Sequence, residues 1–270
     1  MKFSPFNPIR FYNVASSEGC DGNAHIFAES DYIIFEVLHR ADESLGRLQL
    51  IDARNDAPIM DLSLNTYQIN MDQCVSFYEF RGLEAGEYRL LLGEWLSNRI
   101  IVTNDLDVLQ NTVLFQYSTS WNDMRRDFYA KINGSLRYFE ARLYGGFKDS
   151  GWRFSVENEQ FETDESDIIE LYAMETTEKE LTIGKSSGYP KHVGESLSHI
   201  LSCEVIFIDG DRYSYSGNTE IEESNDNQFI YKVTMRKAKF VNVTFERDLQ
   251  ALFRKAPANL RKVNGKLRKL

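Results

Sequence analysis

The sequence predicts a mainly β protein: an N-terminal β-sandwich, a second β-rich domain with one inserted α-helix, and a basic helical C-terminal tail. Aromatic residues make up 13% of the chain, with 18 Phe and 14 Tyr, and aromatic rings favour pleated, half-buried strands. Short apolar runs between turn signals recur without a sustained helical repeat. Asn133-Gly134 and Asp209-Gly210 each separate two strand-like runs, and such dipeptides suit the positive φ angles of two-residue hairpin turns.

The length of 270 residues suits two domains, at roughly 100–200 residues per domain. We predict four parts: an arm at 1–13, a sandwich domain at 14–104, a second β-rich domain at 105–245, and a tail at 246–270. In the arm, Pro5 and Pro8 exclude a helix, while the apolar side chains between and around them require burial. Such an arm packs on its own domain or, in an assembly, docks on a neighbouring subunit.

The first domain is predicted as a sandwich because strand-like segments follow one another at regular spacing between Ala24 and Thr103. Leu83, Gly86 and Tyr88 have the L-x-x-G-x-Y spacing of a tyrosine corner, in which the tyrosine hydroxyl bonds to nearby backbone. This motif favours an immunoglobulin-like sandwich. A strand that begins after a glycine turn is the alternative.

The second domain is predicted to begin after the segment TNDLDVLQN and to consist of strands, two hairpins and one helix. In the helix, Val193, Leu197, Ile200 and Leu201 recur at the spacing of a single apolar stripe, and Pro190 suits the first turn. The segment NQFIYKVTMRKAKFVNV is expected to form a further long strand or strand pair.

The formal net charge of −10 is distributed unevenly along the chain. From Arg247 to Leu270 there are eight Lys or Arg and one Asp, about +7, so the remainder carries about −17. A short apolar face in the tail, Leu249, Leu252 and Phe253, precedes the helix breakers Pro257 and Gly265. We expect this tail to dock on an acidic surface of a neighbouring subunit; membrane or nucleic-acid binding by the tail is the alternative.

Cys20, Cys74 and Cys203 are far apart and odd in number, which supports neither a zinc site nor a disulfide framework. The first residues lack the apolar core of a signal peptide, and no run approaches the ~20 apolar residues of a membrane span. We therefore expect synthesis and folding in a reducing cytoplasm, with no membrane partner.

The segment Gly184-Lys185-Ser186-Ser187-Gly188 fits the G-x-S-x-G pattern of a serine hydrolase between a strand and a helix. A catalytic set of Ser186, His192 or His199, and Asp209 can be written. However, no histidine follows His199, Tyr189-Pro190 delays the helix, and the flanking segments are hairpins rather than βαβ units. A phosphate-binding loop would need glycine at position 179, which is Lys179. We predict no catalytic residue.

Two metal hypotheses are also weak, and we predict no metal and no cofactor. His192, Glu195 and His199 could share a helix face, but they lie beside the apolar stripe, and we expect surface histidines near an interface. The acidic stretch from Glu157 to Glu170 lacks the glycine of a calcium loop and is predicted as a solvated loop.

A set of short motifs is distributed over the second half: Gln116-Tyr117-Ser118, Gly145-Gly146-Phe147, Thr182-Ile183-Gly184, Ser186, Gly188, Pro190, Cys203, Ile208-Asp209-Gly210 and Arg212-Tyr213. The N-terminal segment reads FSPFNPIRFY. These motifs and this segment resemble a family of proteins encoded in phages and prophages of Bacteroidetes.

The resemblance implies a non-enzymatic structural component of a phage tail, in the distal tail, tail tip or baseplate. It implies a homo-oligomeric ring, other tail proteins as partners and a place in the virion. The acidic body of the chain argues separately against nucleic-acid binding. The resemblance carries over no catalytic residues. The basic extension after Phe245 departs from the family pattern. The alternative is a carbohydrate-binding adhesion module, because sugars stack on exposed rings and the chain offers Trp95, Trp121 and Trp152.

Overall fold

The structure is a computed structural model that describes residues 1–15, 24–162, 168–184, 188–225, 227–238, 260–263 and 266–269. It is mainly β, as the sequence predicts, with large multi-stranded sheets. The N-terminal half contains eleven strands among these residues: β1 (Lys2–Phe3), β2 (Phe11–Asn13), β3 (Ala24–Ala28), β4 (Tyr32–Arg40), β5 (Leu48–Asp52), β6 (Pro58–Leu62), β7 (Asn65–Gln68), β8 (Gln73–Arg81), β9 (Gly86–Leu92), β10 (Trp95–Ser97) and β11 (Arg99–Thr103).

These strands form two facing sheets with a shared apolar core. One sheet has the order β1-β4-β8-β7, and the other runs from β3 through β11, β9 and β5 to β6. The pairing of β3 with β11 is parallel. The core between the sheets comprises Phe27, Ile33, Phe35, Val37, Leu48, Leu50, Phe80, Leu90, Leu92, Ile100 and Val102, together with Ile9 and Phe11 of the arm.

The predicted tyrosine corner forms at the start of β9. The hydroxyl of Tyr88 donates to the carbonyl oxygen of Glu84 at 3.1 Å. Gly86 is required there, because a Cβ atom on it would lie 2.7 Å from the Tyr88 hydroxyl. The local motif is therefore confirmed as a hydrogen-bonded corner.

The arm packs on its own chain. β1 pairs with β4, and β2 pairs with β10. Between these strands, Phe6 is 1% exposed and stacks on Phe128 of the second half, with ring centroids 4.1 Å apart. The arm thus contributes to both apolar cores of the molecule.

A short helix that the sequence analysis did not predict follows the sandwich. Helix α1 (Leu106–Leu109) lies in the segment predicted as the boundary. Asp105 caps it, because its side chain accepts a hydrogen bond from the amide of Asp107 at 2.9 Å. The predicted fold class is confirmed, with α1 as one further helix whose four residues carry no apolar stripe that could have revealed it.

The second half continues with β12 (Thr112–Ser118), β13 (Lys131–Ile132), β14 (Ser135–Leu136), β15 (Phe139–Glu162), β16 (Ile168–Ile183), β17 (Tyr189–Pro190), α2 (Lys191–Leu201), β18 (Val205–Ile208), β19 (Asp211–Asn225) and β20 (Gln228–Lys237). Six of these strands close into an antiparallel barrel in the order β12-β15-β16-β20-β19-β18, because β18 pairs back to β12. Closure removes free sheet edges where the strands overlap.

The barrel interior is filled by alternate residues of its strands and by helix α2. Val113, Phe115 and Tyr117 of β12 point inward, as do Leu181 of β16 and Val233 of β20. The apolar stripe predicted on the helix is buried as expected, at Val193, Leu197, Ile200 and Leu201. The helix therefore belongs to the barrel core.

Both predicted hairpin turns are confirmed. Asn133 and Gly134 have φ angles of 51° and 79° and join β13 to β14, a shorter hairpin than the sequence indicated. Asp209 and Gly210 have φ angles of 50° and 85° and join β18 to β19.

The acidic stretch predicted as a loop is mostly strand. Residues 157–162 belong to β15 and residues 168–170 to β16, and the two strands pair along this length. A two-stranded ribbon surrounded by solvent does not require apolar residues, so its charge content misled the prediction. Asp164, Glu165 and Asp167 lie outside the described residues.

The prediction of a helical tail is wrong at its end. β21 (Leu260–Val263) and β22 (Lys266–Lys269) form an antiparallel pair. The sequence between them is Asn264-Gly265, the dipeptide that favours two-residue hairpins. Gly265 is therefore a hairpin signal and not only a helix breaker. Leu249, Leu252 and Phe253 lie outside the described residues.

Two buried ion pairs join the sandwich to the barrel. Arg137, beside the barrel, donates to Glu36 of β4 at 2.7 Å, and neither side chain is more than 8% exposed. Arg142 of β15 bonds both carboxylate oxygens of Asp31, at 2.7 and 2.8 Å. At the same junction β15 pairs with β3, where Arg142 lies opposite Ile26.

Glu36 is further held by the amide of Tyr129, which donates to it at 3.2 Å, and the Arg137 guanidinium lies over the ring of Phe77 at 4.4 Å. Burial raises the pKa of Glu36 above its ordinary value even though Arg137 opposes the shift. Ionisation of Glu36 therefore costs stability as pH rises above the ordinary glutamate range, and Arg137 offsets that cost.

We predict that Arg137→Met lowers the free energy of unfolding by about 3–5 kcal/mol near neutral pH, because it leaves a buried carboxylate without its cation. The loss should shrink toward pH 5, where Glu36 can take up a proton. Urea unfolding at both pH values measures this difference. Arg99→Met is the control, since Arg99 pairs with Glu87 at the surface at 3.3 Å and its loss should cost less than about 1 kcal/mol. An equal loss at both pH values would contradict the assignment.

Candidate functional site

The G-x-S-x-G segment is a strand-to-helix connection. Gly184 and Gly188 have φ angles of 104° and 68°, in the region that favours glycine, and the amide of Gly188 donates to the Gly184 carbonyl at 2.7 Å. Lys185, Ser186 and Ser187 lie outside the described residues. The two glycines are therefore explained by backbone geometry.

Asp209 and His199, the acid and one of the bases of the hypothetical catalytic set, lie in different surroundings. Asp209 accepts a hydrogen bond from the Leu114 amide at 2.9 Å, and burial raises its pKa. His199 lies on α2 with its ring 5.3 Å from that of Phe6, and burial together with the charge of Arg126 lowers its pKa. Asp209 thus lies in a hairpin turn, and His199 lies against the arm.

His192, Glu195 and His199 all lie on α2, as predicted. Glu195 is exposed and faces Lys191 at 4.0 Å. Among the described residues, no group of three His, Cys, Asp or Glu side chains is arranged to hold a metal ion. Cys203, which follows the helix, is buried, and burial raises the pKa of its thiol to about 12.

An apolar groove of about 630 Å³ opens beside α2, within the size range of ligand pockets. Leu197 and Leu201 form the helix wall, Phe229 and Tyr231 of β20 lie beneath, and Ile221 belongs to the opposite wall on β19. Ile221 is 62% exposed. The groove is therefore an accessible apolar surface next to the barrel core.

A second exposed apolar surface lies on the β15–β16 ribbon. Trp152, Phe154 and Val156 alternate along β15 without an intervening bulge and so project from one face, which we call the ribbon face. They are 42%, 78% and 59% exposed. Such a row of large apolar side chains in water is typical of an interaction surface.

The ribbon face continues the inner surface of the barrel. Trp152 lies opposite Lys179 of β16, and Lys179 lies opposite Met235 of β20, which is fully buried in the barrel core. Before Glu178, β16 has no strand partner besides β15 among the described residues. The ribbon therefore projects past the other described strands, and Trp152, Phe154 and Val156 on its apolar face remain exposed to different degrees.

Lys179 marks the boundary between covered and uncovered surface. Its ammonium lies 3.6 Å from the centroid of Trp152 and 5.2 Å from that of Phe147, as in cation–π contacts. Burial, and next the charge of Lys237, lower the pKa of Lys179. Trp152 and Phe154 also stack on each other, with ring centroids 6.1 Å apart. These contacts hold the exposed rings in place.

The other two tryptophans differ in environment. Trp95 contacts the ring of Phe3 at 5.4 Å at the edge of the sandwich core, so it has a packing role. Trp121 is 62% exposed, and Met124, three residues later in the sequence, is 57% exposed. Of the three tryptophans, Trp121 and Trp152 are accessible to a partner.

Sequence reasoning missed the ribbon face although its signal was present. The segment GWRFSVE alternates Trp152, Phe154 and Val156 with Arg153 and Ser155, which is the period of a strand. The acidic residues that follow, from Glu157, favour a loop in the sequence pattern and make this alternation less apparent. The groove beside α2 could not be predicted, because it depends on where the helix lies relative to β19.

No protein-family model and no curated protein sequence matches this chain. None of the helices in the described part of the chain is long and apolar enough to span a bilayer. The resemblance to phage tail proteins therefore rests on the motifs in the sequence.

We predict that Gly194→Ala destabilises the protein by about 1–3 kcal/mol, although alanine favours helices over glycine by about 1 kcal/mol. A Cβ atom there would lie 2.5 Å from the ring of Tyr231, which is itself buried. Chemical denaturation followed by fluorescence gives the change. Ser198→Ala, on the exposed face of the same helix, should be neutral or slightly stabilising. A stabilised Gly194→Ala protein would refute the close helix–strand packing.

Proposed function

We propose that this protein is a non-enzymatic structural subunit of a phage tail that acts by self-assembly and by docking neighbouring tail proteins. Its place would be a ring of the distal tail, tail tip or baseplate in the virion, after synthesis in the cytoplasm of the bacterial host. The observation that carries the proposal is the ribbon face, on which Trp152, Phe154 and Val156 are exposed. Lys179 lies over the Trp152 ring, and Trp152 stacks with Phe154.

The positions of the family-like motifs support a scaffold role. The Tyr117 hydroxyl donates to the carbonyl of Phe6 at 2.6 Å, and the Ser118 hydroxyl donates to the carbonyl of Arg137 at 2.7 Å. Gly145 lies so close to β16 that a Cβ atom would be 2.4 Å from the Thr182 carbonyl oxygen. These motif residues thus serve the arm, the junction and strand packing, which are the needs of a subunit framework.

We infer an immunoglobulin-like topology for the N-terminal sandwich. The support is a four-stranded sheet β1-β4-β8-β7 facing a sheet in which β3 and β11 pair in parallel, with the tyrosine corner at the start of β9. In the proposed subunit this sandwich lies peripherally, while the barrel and its ribbon make the contacts between copies. The ribbon suits this role because it extends beyond the barrel.

Self-assembly fits the energetics of the ribbon face. Burying three large apolar side chains that are now exposed gives a favourable hydrophobic contribution of roughly 25 cal/mol per Å². Two rings that are already stacked lose little rotamer freedom on binding, and rigid aromatic anchors dominate many interfaces. A second copy presents the same surface, so closed or cyclic contacts become available.

We predict that Phe154→Glu weakens self-association at least about tenfold, because a carboxylate would have to be buried at the interface. Mass photometry and analytical ultracentrifugation across a concentration series measure the dissociation constant. Met71→Glu is the matched control, since Met71 is 90% exposed on the sandwich. A wild-type chain that stays monomeric at micromolar concentration would contradict the proposal, as would unchanged association of Phe154→Glu.

The non-enzymatic part of the proposal has its own test. Because Gly184 and Gly188 are explained by backbone geometry, we expect any hydrolysis of generic esters by the wild type to be unaffected by Ser186→Ala. Initial rates on p-nitrophenyl esters of two chain lengths provide the measurement. His199→Ala serves as the companion variant. Loss of a saturable rate in the Ser186 variant alone would identify a nucleophile and overturn the proposal.

The second candidate is a carbohydrate-binding module, favoured by the exposed rings of Trp121 and Trp152. Sugars stack on such rings, but a sugar site also needs convergent polar groups. A glycan array separates the candidates, because an adhesion module binds as an isolated protein. Specific binding that Trp121→Ala abolishes would favour this candidate over the structural subunit.

A further inference from the structure

Strand β19 has an uncovered edge. β18 pairs with it only at Asp211, Arg212 and Tyr213, while β20 occupies its other edge along most of its length. Within the described chain, the edge from Thr219 to Glu223 therefore faces no strand, and it lies beyond the bulge that follows Tyr215. The backbone N–H and C=O groups of such an edge are a template for an additional strand.

The groove beside α2 runs along this edge. Helix α2 packs on β20, where Gly194 contacts Tyr231, and the groove opens between the helix and the inward-facing residues of β19. Thr219 and Ile221 line it from the strand side, and Leu197 and Leu201 from the helix side. An extended segment that pairs with the edge would place every second side chain in the groove, which is how strand addition gains specificity.

This chain contains a segment with the required pattern. Residues 240–245 read Phe-Val-Asn-Val-Thr-Phe, in which Val241, Val243 and Phe245 alternate with Asn242 and Thr244. The segment lies outside the described residues and follows directly after them. Three apolar side chains on one face match an apolar groove of about 630 Å³.

The charges are complementary. The β19 strand from Ser214 onward carries Glu220, Glu222 and Glu223 and no Lys or Arg. The segment is flanked by Lys239 on one side and by the basic stretch from Arg247 on the other. Attraction between opposite charges of this kind selects a partner and fixes its register.

The geometry of the chain indicates a second copy as the source of the segment. The chain leaves β20 at Ala238, whose amide donates to the carbonyl of Arg212 at 2.9 Å. This places the exit on the edge of β19 that β20 occupies, opposite the uncovered edge. To reach its own groove the segment would have to cross over the start of β19.

We propose that residues 240–245 of one copy add as a strand to the Thr219–Glu223 edge of β19 in a second copy, with Val241, Val243 and Phe245 in the groove. The inference deepens the proposed self-assembly and rests on it. It assigns the charge asymmetry of the chain a definite role, since the basic tail directs the strand of its own copy to the acidic edge of the neighbouring copy.

Cysteine cross-linking of full-length chains tests the proposal. Ile221→Cys and Val243→Cys proteins, both in a Cys20→Ser background, are purified separately under reduction, mixed and oxidised. The native Cys74 and Cys203 are buried and should not interfere. The mixture should give at least about tenfold more cross-linked dimer than the same experiment with Glu222→Cys, which lies on the other face of β19.

A competing peptide tests the strand pattern. A synthetic peptide of residues 237–247 should suppress the cross-link, whereas a peptide of the same composition with only Val243 and Thr244 exchanged, which has no face with three apolar side chains, should not. Equal suppression by both peptides would indicate charge alone and overturn the proposal. A cross-link that forms only within a single chain carrying both cysteines would also overturn it, because the segment would then fill its own groove.

The failure of this inference is distinguishable from that of the proposed function. If association persists by mass photometry and is lost in Phe154→Glu, but no cross-link between positions 221 and 243 forms, the self-assembling subunit stands and the docked strand fails. If the wild type is monomeric and no cross-link forms, both fail.

Discussion

The buried pair of Glu36 and Arg137 is the interaction on which the arrangement of the two halves depends. Glu36 is on a central strand of the sandwich, and Arg137 precedes the longest strand of the barrel. A carboxylate in this position is tolerable only if a cation and a backbone donor from the other half reach it. Glu36 therefore places a charge in the sandwich sheet that Arg137 and the Tyr129 amide of the second half must pair with. The two halves thus stabilise each other in one orientation.

The barrel adds a second constraint, because helix α2 packs its apolar stripe against the core of six closed strands while its opposite face stays exposed. The helix lies on β20, and this fit depends on Gly194 beside the Tyr231 ring. The same placement leaves the groove open along β19, and it leaves the β15–β16 ribbon to project alone. The groove and the ribbon face are thus both exposed because β18 is short and only one helix packs on the barrel.

Much of the fold could be predicted from local patterns. Asp209-Gly210, the stripe of α2 and the corner at Tyr88 each carry their structure in a few adjacent residues, and all three are present as expected. The long ribbon could not be predicted from charge, since acidic residues suit a solvated strand as well as a loop. The junction was also hidden, because Glu36 and Arg137 are 101 residues apart and neither has a local pattern.

Of the two exposed apolar surfaces, the ribbon face could have been found from the alternation around Phe154. Its exposure could not, because strands with the same alternation are buried elsewhere in the barrel. The groove depends on tertiary packing alone. Gly184 and Gly188 illustrate the opposite situation, in which a sequence motif is present without a functional meaning. They match a catalytic motif, but their positive φ angles account for both glycines.

The arm has a consequence for how the chain folds. Phe6 precedes its partners by more than a hundred residues, since its ring contacts that of Phe128 and its carbonyl oxygen accepts a hydrogen bond from Tyr117. Phe6 therefore stays unburied until the chain as far as Phe128, nearly half of the 270 residues, is available. Contacts of such separation in sequence slow folding. We therefore expect the sandwich to fold first, and Phe6 of the arm to become buried only when the barrel forms.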